Sequence, residues 1–277
     1  MKLILGFSVP LLFGYLFQQL YNLVDTMIVG QFLGVDALAA VGATGSINFL
    51  IIGFCNGVCS GFALPIAHRF GAKDYKTLRK LYANSIWLSA IFAVIMTILT
   101  VVFCRPILTL MRTAENIFEY SYQYIVIIFI GIPATYLFNL TSGMIRALGN
   151  SRAPLIVLIV SSVLNVVLDL VFILNFHMGV TGAAAATVLS QVISGIACVI
   201  YIRKKVDMLQ LSRDEWKMEK REMLELFNAG VPMGLQYSIT AIGSVILQSA
   251  VNTLGSNAVA SVTAASKISM FIVCPFD

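Results

Sequence analysis

The chain has 277 residues, 59% hydrophobic and only 11% charged, with a formal net charge of +5 and a mean hydropathy of +0.91. Soluble domains carry about 25% charged residues, so this composition excludes a water-soluble globular protein and points to a bilayer. The excess of Lys and Arg does not mark a nucleic-acid binder, because the bases cluster in short segments between apolar runs and form no basic helix face.

The opening residues, "MKLILGFSVPLLFGYLFQQL", have the outline of a signal peptide. No small-x-small cleavage site comes after them and the apolar pattern continues to Phe32, which predicts a retained helix. Apolar spans are predicted at 3–32, 38–66, 81–104, 118–148, 154–176, 182–203, 226–253 and 258–277. Several exceed the ~20 residues needed to cross a bilayer, so tilted or kinked helices are expected. Pro10, Pro133 and Pro232 fall inside spans, where the missing N–H kinks a helix.

The connectors are of two kinds. "HRFGAKDYKTLRK", "IRALGNSRAP" and "IRKKVDMLQLSRDEWKMEKRE" are basic, whereas "GQFLGVDA", "FHMGVTG" and "LGSNA" are short and nearly uncharged. With Lys2, the three basic connectors hold 15 of the 18 Lys and Arg residues; Arg105 and Arg112 fall on the other side and Lys267 lies within the last span. The positive-inside rule then predicts a cytoplasmic N terminus in a cytoplasmic (inner) membrane. The long polar stretch Asp207 to Glu225 is predicted to be an interfacial amphipathic helix with Trp216 and Met218 toward lipid.

Beyond that polar stretch the chain repeats its own beginning. At a shift of 221–222 residues Pro10 matches Pro232, Gly34 matches Gly255, and Ala37, Ala39 and Val41 match Ala258, Ala260 and Val262. Six spans separate the copies, so both enter the membrane in the same sense, as in transporters built from two parallel halves. The expected fold is an all-α polytopic membrane protein: a six-helix lobe over 1–205, an amphipathic connector over 206–225, and an incomplete second lobe over 226–277. About four further spans are expected to complete it.

Two carboxylates sit inside spans. Gln18, Tyr21, Asn22 and Asp25 fall at i, i+3, i+4 and i+7 and share one face of the first span. Asn165 and Asp169, with Ser162 one turn earlier, repeat the device on the fifth. A charged side chain at the centre of a membrane helix costs about 2.5–3.5 kcal/mol on insertion scales. An amide would join helices at lower cost, so the acids imply a cavity and a proton. Two acids facing one cavity hold their protons to higher pH than a free carboxyl, because burial and a like neighbour both disfavour the anion.

Other features read as architecture. Gly53, Gly57 and Gly61 form a small-xxx-small face, and "GAAAAT" at Gly182–Thr187 another. The five cysteines fall within or at the edge of apolar runs; Cys55 and Cys59 share a face but have no partner His or Cys beside them. His68 reads as solvated beside Arg69, and His177 as an outer-loop residue. No Ser/His/Asp set, HExxH or phosphate-binding glycine loop is present, so enzymatic and ATP-driven readings have no residues to carry them.

"VPLLFGYLFQQLYNLVDTMIVGQFLGVDALAAVG", "GMIRALGNSRAP" and "LNVVLDLVFIL…GVTGAAAATVLSQ" resemble the multidrug and toxic compound extrusion (MATE) transporters. The resemblance implies twelve spans in two lobes and export of organic, often cationic, compounds in exchange for H⁺ or Na⁺, with no other cofactor. It implies a cation-coupling site in the first lobe at Asp25, Asn165 and Asp169, with Thr187 as a sixth-span hydroxyl. Asn139 and Ser142 are fourth-span candidates for the substrate cavity beside Gln18, Tyr21 and Asn22, and Na⁺ at Asp25 and Asp169 is the one metal implied. Some sodium-coupled members carry a glutamate early in the seventh helix; here that region reads "GLQYSITAIG", which favours H⁺. The partners implied are small organic substrates and the bilayer, and the full-length protein is expected to be a monomer. The alternatives are a lipid-linked oligosaccharide flippase of the same two-lobe design, disfavoured because Lys267 is the one clear intramembrane base, or a nonfunctional fragment.

Overall fold

The computed structural model describes residues 2–273, and among the described residues the chain is all-helical. The end of the eighth predicted span, 274–277 with Cys274, and the side chain of Lys267 lie outside the described residues. The first spans are α1 (Lys2–Leu33), α2 (Val35–Gly71) and α3 (Tyr75–Leu110). The fourth is split into α4 (Glu115–Ile130) and α5 (Ile132–Ala147). Then come α6 (Arg152–Leu170), ending in a π-helical turn (Val171–Asn175), α7 (Val180–Lys205), α8 (Lys220–Asn252) and α9 (Ser256–Val273). In hydrocarbon a backbone must satisfy its own N–H and C=O groups, which is why apolar runs of this length become helices.

Among the described residues, five of these, α2, α3, α6 with its π turn, α7 and α8, are long and apolar enough to cross a bilayer; α4 and α5, bent by 47° at Gly131, make a sixth. That set leaves out α1 and α9, which the sequence reads as the first and eighth spans; α1 packs along α6 and α9, and α9 along α2. The bend is a fourth-span kink of the kind Pro133 predicts: proline offers no N–H there, and the Ala134 and Thr135 amides both turn back to the Gly131 carbonyl, at 2.9 and 3.1 Å.

The helices are amphipathic inside out. On α6, Ile156, Val160, Val163 and Val167 are exposed at helical spacing, while Asn165 and Asp169 on the opposite face are 1% and 0% exposed. On α3 the exposed stripe runs Trp87, Ile91, Val94, Ile95, Ile98, Leu99, Val102 and Phe103. Apolar outside and polar inside is the pattern of a lipid-facing bundle. α2 is the central pillar: 56% of its most apolar stretch is buried, against 17–39% in the other spanning helices.

α8 crosses α2 at close range, and the small-residue face is what permits it. A β-carbon at Gly57 would lie 2.7 Å from the Gly234 α-carbon, and one at Gly61 would lie 2.5 Å from that of Gly230. Glycines on both partners thus bring the backbones together. The repeat is visible in the backbone. Gly34 and Gly255 both hold φ at +90°, a conformation L side chains rarely adopt. After each, the equivalent amide returns to the glycine carbonyl: Leu38 to Gly34 at 3.2 Å, Val259 to Gly255 at 3.1 Å. The two copies also touch, Ala39 packing with Ala260 in one cluster and Gly42 facing Thr263.

The stretch predicted as an amphipathic helix is not one. It forms two short 3₁₀ turns, Asp207–Leu209 and Arg213–Trp216, and residues from Lys220 onward already belong to α8. Side chains of α3 take the backbone groups a helix would need. Trp87 Nε1 donates to the Trp216 carbonyl at 3.1 Å, Asn84 Nδ2 to the Lys217 carbonyl at 3.4 Å, and the Glu219 amide donates to Asn84 Oδ1 at 3.0 Å. Trp216 therefore stands edge-on against Trp87, ring centroids 6.4 Å apart. Arg79–Glu215 at 2.6 Å and Lys80–Glu219 at 2.7 Å complete the clasp.

Candidate functional site

Three helices bring polar groups to one place in the first lobe. Asp25 lies eight residues before the end of α1, Asp169 six residues before the end of the π turn that extends α6, and Thr187 seven residues into α7. All three therefore sit near the bundle end opposite the basic connectors. The i→i+5 turn begins two residues after Asp169, closed by the Phe176 amide on the Val171 carbonyl at 3.1 Å. Single π turns of this kind interrupt α-helices mainly at functional sites.

Asp25 is 8% exposed and Asp169 fully buried. Neither Asp169 oxygen accepts a hydrogen bond from a protein N–H or hydroxyl; its carboxyl instead lies in hydrogen-bonding reach of the Asp25 carboxyl. Among the described residues no lysine or arginine acts on Asp169. Thr187 Oγ1 joins the two stripes: Asn165 Nδ2 donates to it at 3.4 Å, and Tyr21 Oη lies 3.4 Å away on its other side. Tyr124 of α4, buried, lies within electrostatic reach of Asp25, Tyr21 and Asp169.

Tyr21 also lines a cavity of about 90 Å³, with Gln18, Asn56, Asn139 and Ser162 among its walls. A water occupies about 30 Å³ and drug-sized ligands need pockets of about 300 Å³ or more. The cavity admits a few waters or a small ion, not an organic cation.

Of the residues singled out from sequence, the structure brings Asp25, Asn165, Asp169, Thr187 and Tyr21 into one cluster, and places Gln18 and Asn139 on the cavity wall. Asn22 and Ser142 stand apart from that wall. Asn22 Nδ2 donates to Gln19 Oε1 at 3.3 Å, and the Ser142 hydroxyl donates to the Asn139 carbonyl at 3.2 Å. Sequence reasoning missed Tyr124, Asn56, Thr135, Ser190, Gln191 and Ser194. The Thr135 hydroxyl donates to Gln191 Oε1 at 2.7 Å across the cavity. A signal existed: Thr187, Ser190, Gln191 and Ser194 fall at i, i+3, i+4 and i+7, a third polar stripe. No cluster of three or more His, Cys, Asp or Glu side chains forms among the described residues. The donors at the acid cluster are hard oxygens, the set that suits H⁺ or Na⁺ rather than a soft transition metal.

The comparisons with known proteins agree with this geometry. The probable multidrug resistance protein YoeA of Bacillus subtilis (strain 168) is 32% identical over 276 residues, covering 97% of this chain and 60% of that protein. A solved multidrug resistance MATE transporter of the MOP superfamily matches in its inward-facing conformation with a TM-score of 0.86 at 29% identity, covering 93% of this chain and 59% of that one. An outward-facing conformation of such a transporter matches with 0.87 at 28% identity, covering 99% and 61%. The chain thus spans about 60% of the length of the relatives it matches. The family model described as MatE matches residues 10–171, and the chain belongs to that family, the multidrug and toxic compound extrusion (MATE) transporters.

Proposed function

We propose that the full-length protein exports organic compounds, often cationic, across the cytoplasmic membrane in exchange for H⁺, and that Asp25 and Asp169 are the groups that carry the proton. In this reading residues 1–205 form the first lobe, 206–225 the connector, and 226–277 the start of the second lobe. The basic connectors face the cytoplasm by the positive-inside rule. A cysteine at Lys217 that labels from outside would reverse that orientation.

The observation that supports the proposal is two buried carboxyls in hydrogen-bonding reach of each other, with no basic residue acting on Asp169 among the described residues. Two carboxylates have no donor between them and repel; a shared proton turns the contact into a hydrogen bond. Opening to the acidic side loads the proton, and opening to the cytoplasm releases it and leaves a paired negative charge. Asn165, Thr187 and Tyr21 form a hydrogen-bonded chain beside the pair, and Tyr21 also borders the water-sized cavity.

Asp169→Asn keeps the shape of the side chain and cannot take up a carboxyl proton. Full-length wild type, Asp25→Asn and Asp169→Asn reconstituted in vesicles at matched levels are expected to differ sharply: ethidium export driven by a proton gradient is abolished in both variants. Wild-type rates in both would sink the proposal, and export driven by a Na⁺ gradient alone would move the coupling to Na⁺ at the same oxygens.

A further inference from the structure

A second, larger cavity lies outside the acid cluster, at the basic end where the start of α3 meets the start of α8. It measures about 610 Å³ and is lined by Lys76, Thr77 and Lys80 from α3 and by Glu219, Lys220, Arg221 and Glu222 at the other wall. Four cations face two carboxylates, an excess of two positive charges. Lys80 and Glu219 are occupied with each other at 2.7 Å, and Glu222 is 8% exposed. Lys76, Lys220 and Arg221 are exposed and form no ion pair among the described residues. Nothing in the transport reading uses them.

The surroundings decide what kind of anion fits. Directly below the cavity, toward the bilayer, the lipid-facing stripe of α3 begins at exposed Trp87, backed by exposed Trp216. Tryptophan rings settle at the headgroup level of a membrane. Beside it α8 exposes Leu224 and Phe227, and Phe227 stacks on Phe92 of α3 at 6.2 Å, so apolar side chains bridge the two helices there. A cationic cavity at headgroup height, beside exposed apolar side chains of α3 and α8, matches a molecule with an anionic head and acyl tails. Basic pockets between spanning helices hold acidic headgroups by this combination.

We propose that the α3–α8 junction binds an anionic phospholipid, its phosphate held by Lys76, Lys220 and Arg221 and its acyl chains lying along the α3 stripe. α3 belongs to the first lobe and α8 opens the second, so the bound lipid bridges the two at the connector that joins them.

The test is native mass spectrometry of the purified 277-residue chain in mild detergent, titrated with phosphatidylglycerol, cardiolipin or phosphatidylcholine. The two anionic lipids are expected to be retained at least tenfold better than phosphatidylcholine. Each Lys or Arg at an anionic surface is worth a factor of roughly five, so Lys76→Gln/Lys220→Gln/Arg221→Gln is expected to weaken anionic-lipid binding on the order of 100-fold. A charge-matched control, Arg203→Gln/Lys204→Gln/Lys205→Gln at the end of α7, is expected to keep it. Equal loss in both triple variants would show diffuse surface attraction and overturn the proposal, as would equal retention of all three lipids. If millimolar inorganic phosphate displaces phosphatidylglycerol, the cavity is a site for soluble anions and the lipid assignment fails.

Discussion

Asp169 and Glu215 are both carboxylates, held in opposite circumstances. Glu215, at the basic end, receives Arg79 Nε at 2.6 Å and the Ser212 amide at 2.9 Å. Partial burial would raise its pKa, but the Ser212 and Arg79 hydrogen bonds outweigh that and hold it below the ordinary 4.5. Asp169, fully buried, has no cation acting on it among the described residues and lies in hydrogen-bonding reach of another carboxyl. A fold selected for stability alone would treat both like Glu215, since a buried acid without a cation costs free energy that an apolar or amide side chain avoids. The difference teaches where the chain tolerates a costly buried acid and where it uses charge to hold its parts together.

The comparison predicts a double dissociation, and its largest effect is on transport. Asp169→Asn is expected to abolish proton-driven export while leaving the thermal unfolding midpoint in detergent unchanged or raised. Glu215→Gln is expected to lower the midpoint and leave export intact, because it releases the connector and touches nothing in the first-lobe cluster. Measuring both properties in both variants breaks the comparison if the pattern inverts. A destabilised Asp169→Asn would mean the acid is structural glue after all.

Part of this is legible in sequence, for identifiable reasons. Asp25 and Asp169 stand out because acids inside apolar runs are costly, and helical spacing alone assigns Asn165 and Asp169 to one face. Thr187 is picked out through family resemblance, although it also opens the polar stripe that continues through Ser190, Gln191 and Ser194. Ser190, Gln191 and Ser194 escape notice because hydroxyls in membrane helices often bond their own backbone. Ser190 and Ser194 do donate to the Thr187 and Ser190 carbonyls, yet they line the cavity as well. The repeat is readable because Gly34 and Gly255 are needed at φ +90° in both copies. The connector reads as a helix because its pattern is amphipathic, whereas tertiary bonds from Asn84 and Trp87 to its backbone set its shape. No local rule reports a partner more than a hundred residues away.

The smallest effect sharpens the other side of the comparison, the clasp. Glu219 is also held below its ordinary value, first by the hydrogen bond from Lys80, and Lys80 is raised by the same bond. A carboxylate whose folded pKa is depressed adds stability above its unfolded pKa, and that stability is lost as pH falls through the folded value. With an ordinary glutamate value of 4.5, the unfolding midpoint should be insensitive to these two groups from pH 7 to about 5 and fall below about 4.5. The lysine contributes with the opposite sign, losing its share only as pH rises through its raised value, far above the working range. Glu215→Gln/Glu219→Gln should lower the midpoint at pH 7 and flatten the acid limb. For the Arg79–Glu215 pair alone, partly screened by solvent, a double-mutant cycle with Arg79→Gln and Glu215→Gln should return a coupling of about 0.5–1 kcal/mol. Raising the salt should shrink it, since charges in contact with water are screened within about 10 Å at ordinary ionic strength and less at high salt. A coupling of zero would mean that the backbone bonds from Asn84 and Trp87 hold the connector unaided, and that the charges there serve the surface rather than the fold.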